Sequence, residues 1–532
     1  MVAGVLGAAP VASHAEGPDA PTPVTKGAIT IPDERVLSAG AWAFFHGVDV
    51  QPGEAGSASS TSAYPAFGTN VDANDPTKDV AAGQAETAIA AATFGSQKRV
   101  LAAWNDVSGF FFRHSTTRDA SVTGLSISTD GGASFRDQIG LPNHDPNQQW
   151  FGDPTVVAVD GSHFIVGSLY LPAFFAEDFC AGEAALGLSV ATVNASGSKV
   201  TFTDPIVAAS GGSICSDTGA FLDKEFLAYD ATTRTLAMSY TRFGPPCGNG
   251  GIEVVRATVP ADAATLSSND FGLPIVVWPQ QCSGAMVNAG SYPAVSTSGD
   301  VFVAWERNIF SNQFNGKPYV WLHAAKIPAG ALAPSVGGPA NPVVITTGQT
   351  NGTKDGGVKS MDMVQIVGYS RFVGVDFPRA AFNPATGGVV FAWNDSSLHP
   401  LGDIFLRELN SSLSNLATSP IRKVNGDGLG RLHFLPALSV RSNGTICLGW
   451  YDRRRFANDS ARTDYYRDCR ASAGLNGTDT RVTTGYTDWN ATGSIINPNF
   501  GDYTDAASDG NTTYYIWTDG RTGYPQPFVD KS

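Results

Sequence analysis

Charge is sparse in this chain. Asp, Glu, Lys and Arg make up only 15% of its 532 residues, and acids outnumber bases to leave a net charge of −14. So little positive charge leaves no basic face to displace counterions from phosphates, which excludes a nucleic-acid partner. No stretch approaches the ~18 uninterrupted apolar residues of a membrane helix, so no membrane span is expected. Cys-x-x-Cys pairs and clustered histidines are missing, and no loop has the ligand spacing of a calcium site. Neither a metal nor another cofactor is expected.

Glycine (59) and proline (32) are plentiful beside 42% hydrophobic residues. That mixture suits short strands and tight turns rather than long amphipathic helices. The six cysteines fit an oxidising compartment. Cys447 and Cys469 fall on segments that read as neighbouring strands and form the preferred pair; Cys180 with Cys215 and Cys247 with Cys282 follow from proximity alone. The first residues, small and apolar up to Ser13-His14-Ala15, read as a signal-peptide remnant over 1–15, although the positive n-region is missing. A secreted or cell-surface location follows. Nine Asn-x-Ser/Thr sequons, among them Asn194, Asn443 and Asn511, do not decide the host.

One phrase recurs. Its clearest copy, Leu435 to Arg455, reads as an alternating apolar strand, an Asn-Gly turn, a second apolar strand and Trp-x-Asp. Asn-Gly between alternating runs is a strong hairpin signal, because both central residues take positive φ. Seven copies end their second strand on Trp104, Tyr170, Tyr240, Trp305, Trp393, Trp450 and Trp517. These lie between 57 residues (Trp393 to Trp450) and 88 residues (Trp305 to Trp393) apart, room for two further strands each. A lone hairpin is marginal in water, whereas radial stacking buries both faces of every sheet. The expected fold is therefore all-β, a propeller of four-stranded antiparallel blades, seven in number with six as the alternative. The propeller is placed at 31–526, after a linker at 16–30 and before a tail at 527–532. Residues 51–79, rich in Ser, Gly, Ala and Pro, read as an insertion over one end.

The run Ser128-Thr-Asp130-Gly-Gly132-Ala-Ser134-Phe135 matches Ser-x-Asp-x-Gly-x-Ser/Thr-Trp/Phe. With the phrases WYDRR, DYY, GDYTDAASDG and WTDGRTG, it resembles the secreted sialidase-like proteins with BNR, or Asp-box, repeats. The resemblance spans the chain from about residue 30 and implies a sialidase-type propeller. It also implies that Ser128, Asp130, Gly132 and Phe135 are structural and lie at the end away from the active site. Degraded copies are expected at 189–202 and 470–481. Two departures stand out. Ile31-Pro32 lacks the Arg of the sialidase Arg-Ile-Pro motif, and no Tyr-Glu nucleophile pair can be placed.

If the recurring hairpin forms strands A and B, the loops entering A and leaving B share the end opposite the Asp-box. That end collects Asp153, Asp223, Lys224, Glu225, Arg379, Arg431, His433, Asp502 and Tyr503 before strand A. After strand B come Asp106, Arg242, Glu306, Arg307, Asp395, Asp452 to Arg455, Asp519 and Arg521. Acids that follow Trp in five blades are read as serving the blade, because a feature repeated from blade to blade is structural. His163, on an inner hairpin, reads as a packed histidine. The functional expectation is a glycoside hydrolase on acidic or terminal sugars. Asp223 and Glu225 would do acid/base work and Tyr466 would join them at the catalytic centre. Arg307, Arg379, Arg431, His433, Arg454, Asp153 and Lys224 would bind substrate, with Arg307, Arg379 and Arg454 converging on one carboxylate. A non-catalytic glycan- or protein-binding propeller is the alternative, and a lyase using Tyr466 and His433 the third.

Overall fold

The computed structural model describes residues 22–46, 69–77, 83–111, 116–173, 183–245, 247–282, 286–309 and 319–532. The expected signal remnant, most of 51–79, and Cys180 lie outside these residues.

Seven antiparallel sheets follow one another around an axis. Blade 1 shows the rule, with strands A to D at Gln84–Phe94, Gln97–Asp106, Thr123–Ser128 and Arg136–Gly140. Strand A begins at Thr155 in blade 2, Phe221 in blade 3, Met286 in blade 4, Arg379 in blade 5, His433 in blade 6 and Asp505 in blade 7. The seven aromatic residues that close strand B are all buried, as expected of side chains wedged between blades. Side chains on strand A link neighbouring blades: Thr155 Oγ1 accepts from Leu227 N (2.9 Å), and Ser291 Oγ donates to Ser239 Oγ (3.1 Å).

The ring closes in blade 7, whose strands A, B and C are Asp505–Asp509, Thr512–Asp519 and Gln526–Lys531. Its outermost strand is Val71–Asp72, from the N-terminal part of the chain, paired with Phe528 and Val529. The presumed tail at 527–532 is therefore a blade strand, because the seventh sheet needs a third strand for the N-terminal segment to clasp. Part of the presumed insertion is likewise the clasp itself.

Cys447 and Cys469 face one another on strands B and C of blade 6 and form a disulfide, as do Cys247 and Cys282. In blade 1 the Asp130 carboxylate accepts from Ser128 Oγ, from the backbone of Ala133 and Ser134, and from Ser134 Oγ (2.6–3.0 Å). Gly131 and Gly132 supply the positive φ this turn needs. Gly131 N also donates to Lys98 O, so the turn sits beside the A–B turn, at the end the resemblance implies. Asn194 in blade 2 and Asn410 in blade 5 make related turns, with their Oδ1 atoms accepting from Lys199 N and Ser414 N.

Candidate active site at the channel mouth

In blades 1, 3, 4 and 6 the chain enters strand A through two residues that break the pairing register. Shifts occur at Ala85/Ala88, Asp223/Phe226, Ala289/Tyr292 and Phe434/Ala437. The first bulge residue is Glu86, Lys224, Gly290 and Leu435 in these four blades, and the loops entering strand A of blades 2, 5 and 7 bring Asp153, Phe377 and Asp502 to the same mouth. Five of them have left-handed backbone: Glu86 (φ 51°), Asp153 (58°), Lys224 (57°), Gly290 (63°) and Leu435 (51°). Glycine adopts this conformation freely; for the other four it carries strain of order 1 kcal/mol each. The layer is polarised. Blades 7, 1, 2 and 3 contribute Asp502, Glu86, Asp153 and Lys224, whereas blades 4 to 6 contribute Gly290, Phe377 and Leu435. Gly290 is obligatory for a second reason: a Cβ there would lie 2.0 Å from the Phe377 ring.

Asp223, Glu225 and Arg371 join the charged half, and every one of these charged groups is buried. Lys224 Nζ pairs with Asp502, and Arg371 Nη1 reaches the same carboxylate at 2.7 Å. Burial works against the Lys224 ammonium, but Asp502, Glu86 and Asp223 outweigh it and raise its pKa. Five carboxylates face two cations. Burial above all, with help from neighbouring acids, holds the pKa values of Glu86, Asp223 and Glu225 above the carboxylate range. Both Oε atoms of Glu225 are buried and without a hydrogen-bond partner.

What balances the remaining negative charge is the chain's own N-terminal segment. Helix α1 (Ala39–His46) points its first turn into the mouth. Ser38 N donates to Asp223 (3.1 Å), Ala39 N to both oxygens of Glu86 (3.2 Å) and Gly40 N to Asp153 (3.3 Å). Ser38 Oγ donates to Asp153 and accepts from Ala41 N at 3.0 Å. A helix N-terminus carries partial positive charge and free N–H groups, so it suits a carboxylate ring. Apolar packing holds the segment down. Val36, Leu37, Ala41, Phe44 and Phe45 are buried, and Phe44 stacks on Phe221 with ring centroids 4.7 Å apart.

The residues expected at the site thus separate. Asp153, Asp223, Lys224 and Glu225 are brought together at the mouth. Arg379 lies one layer deeper in the channel, its guanidinium 4.8–5.6 Å from the ring centres of Tyr292, Phe226 and Tyr503 and its Nε donating to Pro436 O. Arg307 donates to Gln281 and lies over Trp278. Arg454 pairs with Asp452 and Asp479 (both 2.6 Å) and covers the ring of Tyr466. Among the described residues these three arginines share no contact partner, so the structure does not bring them together on one carboxylate. Arg454 is held within its own blade, Arg307 lies against a ring of the preceding blade, and Arg379 is enclosed by side chains from several blades around the channel.

Tyr466 and His433 share the Asp452–Arg454 cluster in blade 6, away from Asp223 and Glu225. His433 Nε2 lies 3.1 Å from Asp427 and 3.5 Å from Asp452. Burial opposes its charge, but these acids outweigh it and raise its pKa, while burial raises that of Tyr466. Both shifts run against the neutral imidazole and the phenolate that a lyase base would need. Arg431 donates to Asn458.

The acids after Trp behave as scaffold. Asp395, Asp452 and Asp519 each accept from the indole two residues earlier (2.7–2.9 Å) and from the backbone N–H two residues later. Sequence reasoning missed Glu86 and Arg371. Glu86 carries a signal, an acid set in an otherwise apolar strand; Arg371 sits in an irregular loop and carries none. Among the described residues, no three His, Cys, Asp or Glu side chains are disposed to hold a metal ion.

No family model matches the chain, and no curated protein matches it. Solved structures with some likeness include an α-L-arabinanase of Penicillium chrysogenum complexed with arabinobiose, at 12% identity and TM-score 0.38, covering 80% of this chain and 99% of that one. The GH93 α-L-arabinofuranosidase of Fusarium graminearum, also with arabinobiose, has 9% identity, TM-score 0.42 and coverage of 87% and 97%. A Trypanosoma rangeli sialidase has 10% identity, TM-score 0.36 and coverage of 75% and 56%.

Proposed function

We propose that this protein is an exported, carbohydrate-active propeller of the glycosidase type, acting on an uncharged terminal sugar at the charged half of its mouth. One observation carries the reading: Glu225, buried and without a hydrogen-bond partner, stands in the field of Asp153 and Asp223. Carboxyl groups in one dry site, with acidities shifted by burial and by each other, are what glycoside hydrolysis uses. Glu225, whose pKa burial raises well above the carboxylate range, serves as the proton donor to the leaving oxygen, and Asp223 as the opposing carboxylate. The separate engagements of Arg307, Arg379 and Arg454 favour an uncharged sugar over an acidic one. Export agrees with the two disulfides.

The test is a screen of purified protein on arabinosides and other uncharged glycosides, beside sialosides and uronides. Turnover of an uncharged glycoside that disappears in Glu225→Gln is the expected result. A second reading, a non-catalytic binding propeller, has its own observation in the seating of Ser38, Ala39 and Gly40 on the same carboxylates. Absence of turnover on every class, in wild type and in a variant with the mouth opened, would favour it.

A further inference from the structure

The contacts made by residues 38–40 have the form of a bound ligand. Four donors, three amide N–H groups and the Ser38 hydroxyl, reach carboxylates from three separate blades. Packing of helix α1 against Phe151 and Phe221 requires none of these bonds. They are the bonds that the hydroxyl groups of a sugar would make, since a sugar offers O–H donors on several sides and no charge. Glu225, buried beside this ring and unpartnered, has two acceptor oxygens that residues 38–40 do not reach. The segment therefore fills the donor positions of the mouth without satisfying all of its acceptors.

We propose that residues 33–46 are an autoinhibitory plug, in which Ser38, Ala39 and Gly40 stand in for the hydroxyl groups of a sugar, and that the mouth binds ligand only after this segment withdraws. The proposal rests on the glycosidase reading for the identity of the competing ligand, but not for the withdrawal itself. Local opening of one segment from an intact ring is a separate event from unfolding the ring, because the blades are held by their own ladders. The latch is built from few residues. Arg371 donates to the carbonyl oxygens of Arg35 and Leu37 while pairing with Asp502, and Arg35 pairs with Asp33.

Gly40 gives a clean lever, because it is no part of the carboxylate ring. A Cβ at Gly40 would lie 2.5 Å from Phe151 O and 3.0 Å from both Asp153 Oδ2 and Leu169 Cδ1. Gly40→Val should push the segment out while leaving the chemical identity of every mouth side chain unchanged. Hydrogen exchange on the full chain reads this directly. Amides 38–41 are expected to exchange at least 100-fold faster in the variant, while those of Leu101–Trp104 in strand B of blade 1 keep their protection. Unchanged protection at 38–41 would overturn the plug, and so would its loss at Leu101–Trp104 as well, since the segment would then be inseparable from the ring. Ser38→Ala, which removes one donor without adding bulk, should raise exchange at 39–41 by a smaller factor; no change would count against the ligand-like contact. The sugar arm is separate. The uncharged glycoside selected by the screen should bind or turn over at least tenfold better in Gly40→Val. A variant that opens but handles no sugar would overturn the glycosidase reading and the sugar mimicry while leaving the withdrawal established.

Discussion

Asp505 and Asp130 belong to neighbouring blades, and their surroundings drive their acidities apart. Asp505 faces the channel, where its carboxylate accepts from Ile89 N and lies near Arg379; burial nevertheless pushes its pKa up to about 6. Its folded pKa exceeds its unfolded one. The stability it confers is therefore fully present below about pH 4 and lost as pH rises through about 6. A shift of about two pH units corresponds to roughly 3 kcal/mol. Asp505→Asn should remove that slope: measured by urea unfolding from pH 4 to 8, wild type should lose about this much stability relative to the variant. Asp130 behaves in the opposite sense. Partial burial works against its charge, but donors from Ser134, Ser128 and the turn backbone outweigh it and lower its pKa. Its contribution is present above about pH 4 and fades as pH falls through its folded value. Asp130→Ala should cost about 1 kcal/mol at neutral pH in thermal melts, the scale of a lost turn cap. Sugar turnover should be unaffected, because the turn lies beside Lys98 at the far end.

At the scale of an element, the recurrent hairpin was legible because its signals are local. Alternation, an Asn-Gly turn and a terminal aromatic specify strands A and B without reference to anything distant. The pairing of Cys447 with Cys469 followed from the same reading, since the two fall opposite one another when B and C are aligned. Their disulfide closes a separation of 22 residues, for which loop-closure entropy suggests about 3 kcal/mol. Replacing both by Ala should lower unfolding stability by 2–3 kcal/mol without changing the number of blades, as measured by denaturant titration and circular dichroism. Helix α1 was not legible. Eight residues are too short for propensity alone to sustain a helix in water. Its reasons for folding, the carboxylates of blades 1 to 3 and the aromatic faces of Phe151 and Phe221, come from chain 47 to 185 residues away.

For the whole molecule, closure depends on two short segments from opposite ends of the chain. Val71–Asp72 pairs with Gln526–Lys531, so the last blade is complete only when both are present. Removing 526–532 should abolish the cooperative thermal transition and expand the molecule in size-exclusion chromatography. A truncated chain with native melting would show that six blades suffice. The repeat by itself determined the all-β class, the blade count and the end at which Asp153, Asp223, Lys224 and Glu225 gather, because each of these follows from period and polarity along the chain. Tertiary structure alone decided which of the candidate residues meet. Arg307 and Arg454 leave strand B and Arg379 enters strand A, all at one end by their phrases, yet each takes partners that its phrase does not reveal. It also decided what occupies the mouth. A ring of like charges in a dry site is unfavourable unless something electropositive meets it, and the amides of Ser38, Ala39 and Gly40 reach that ring only once the propeller has closed around its axis.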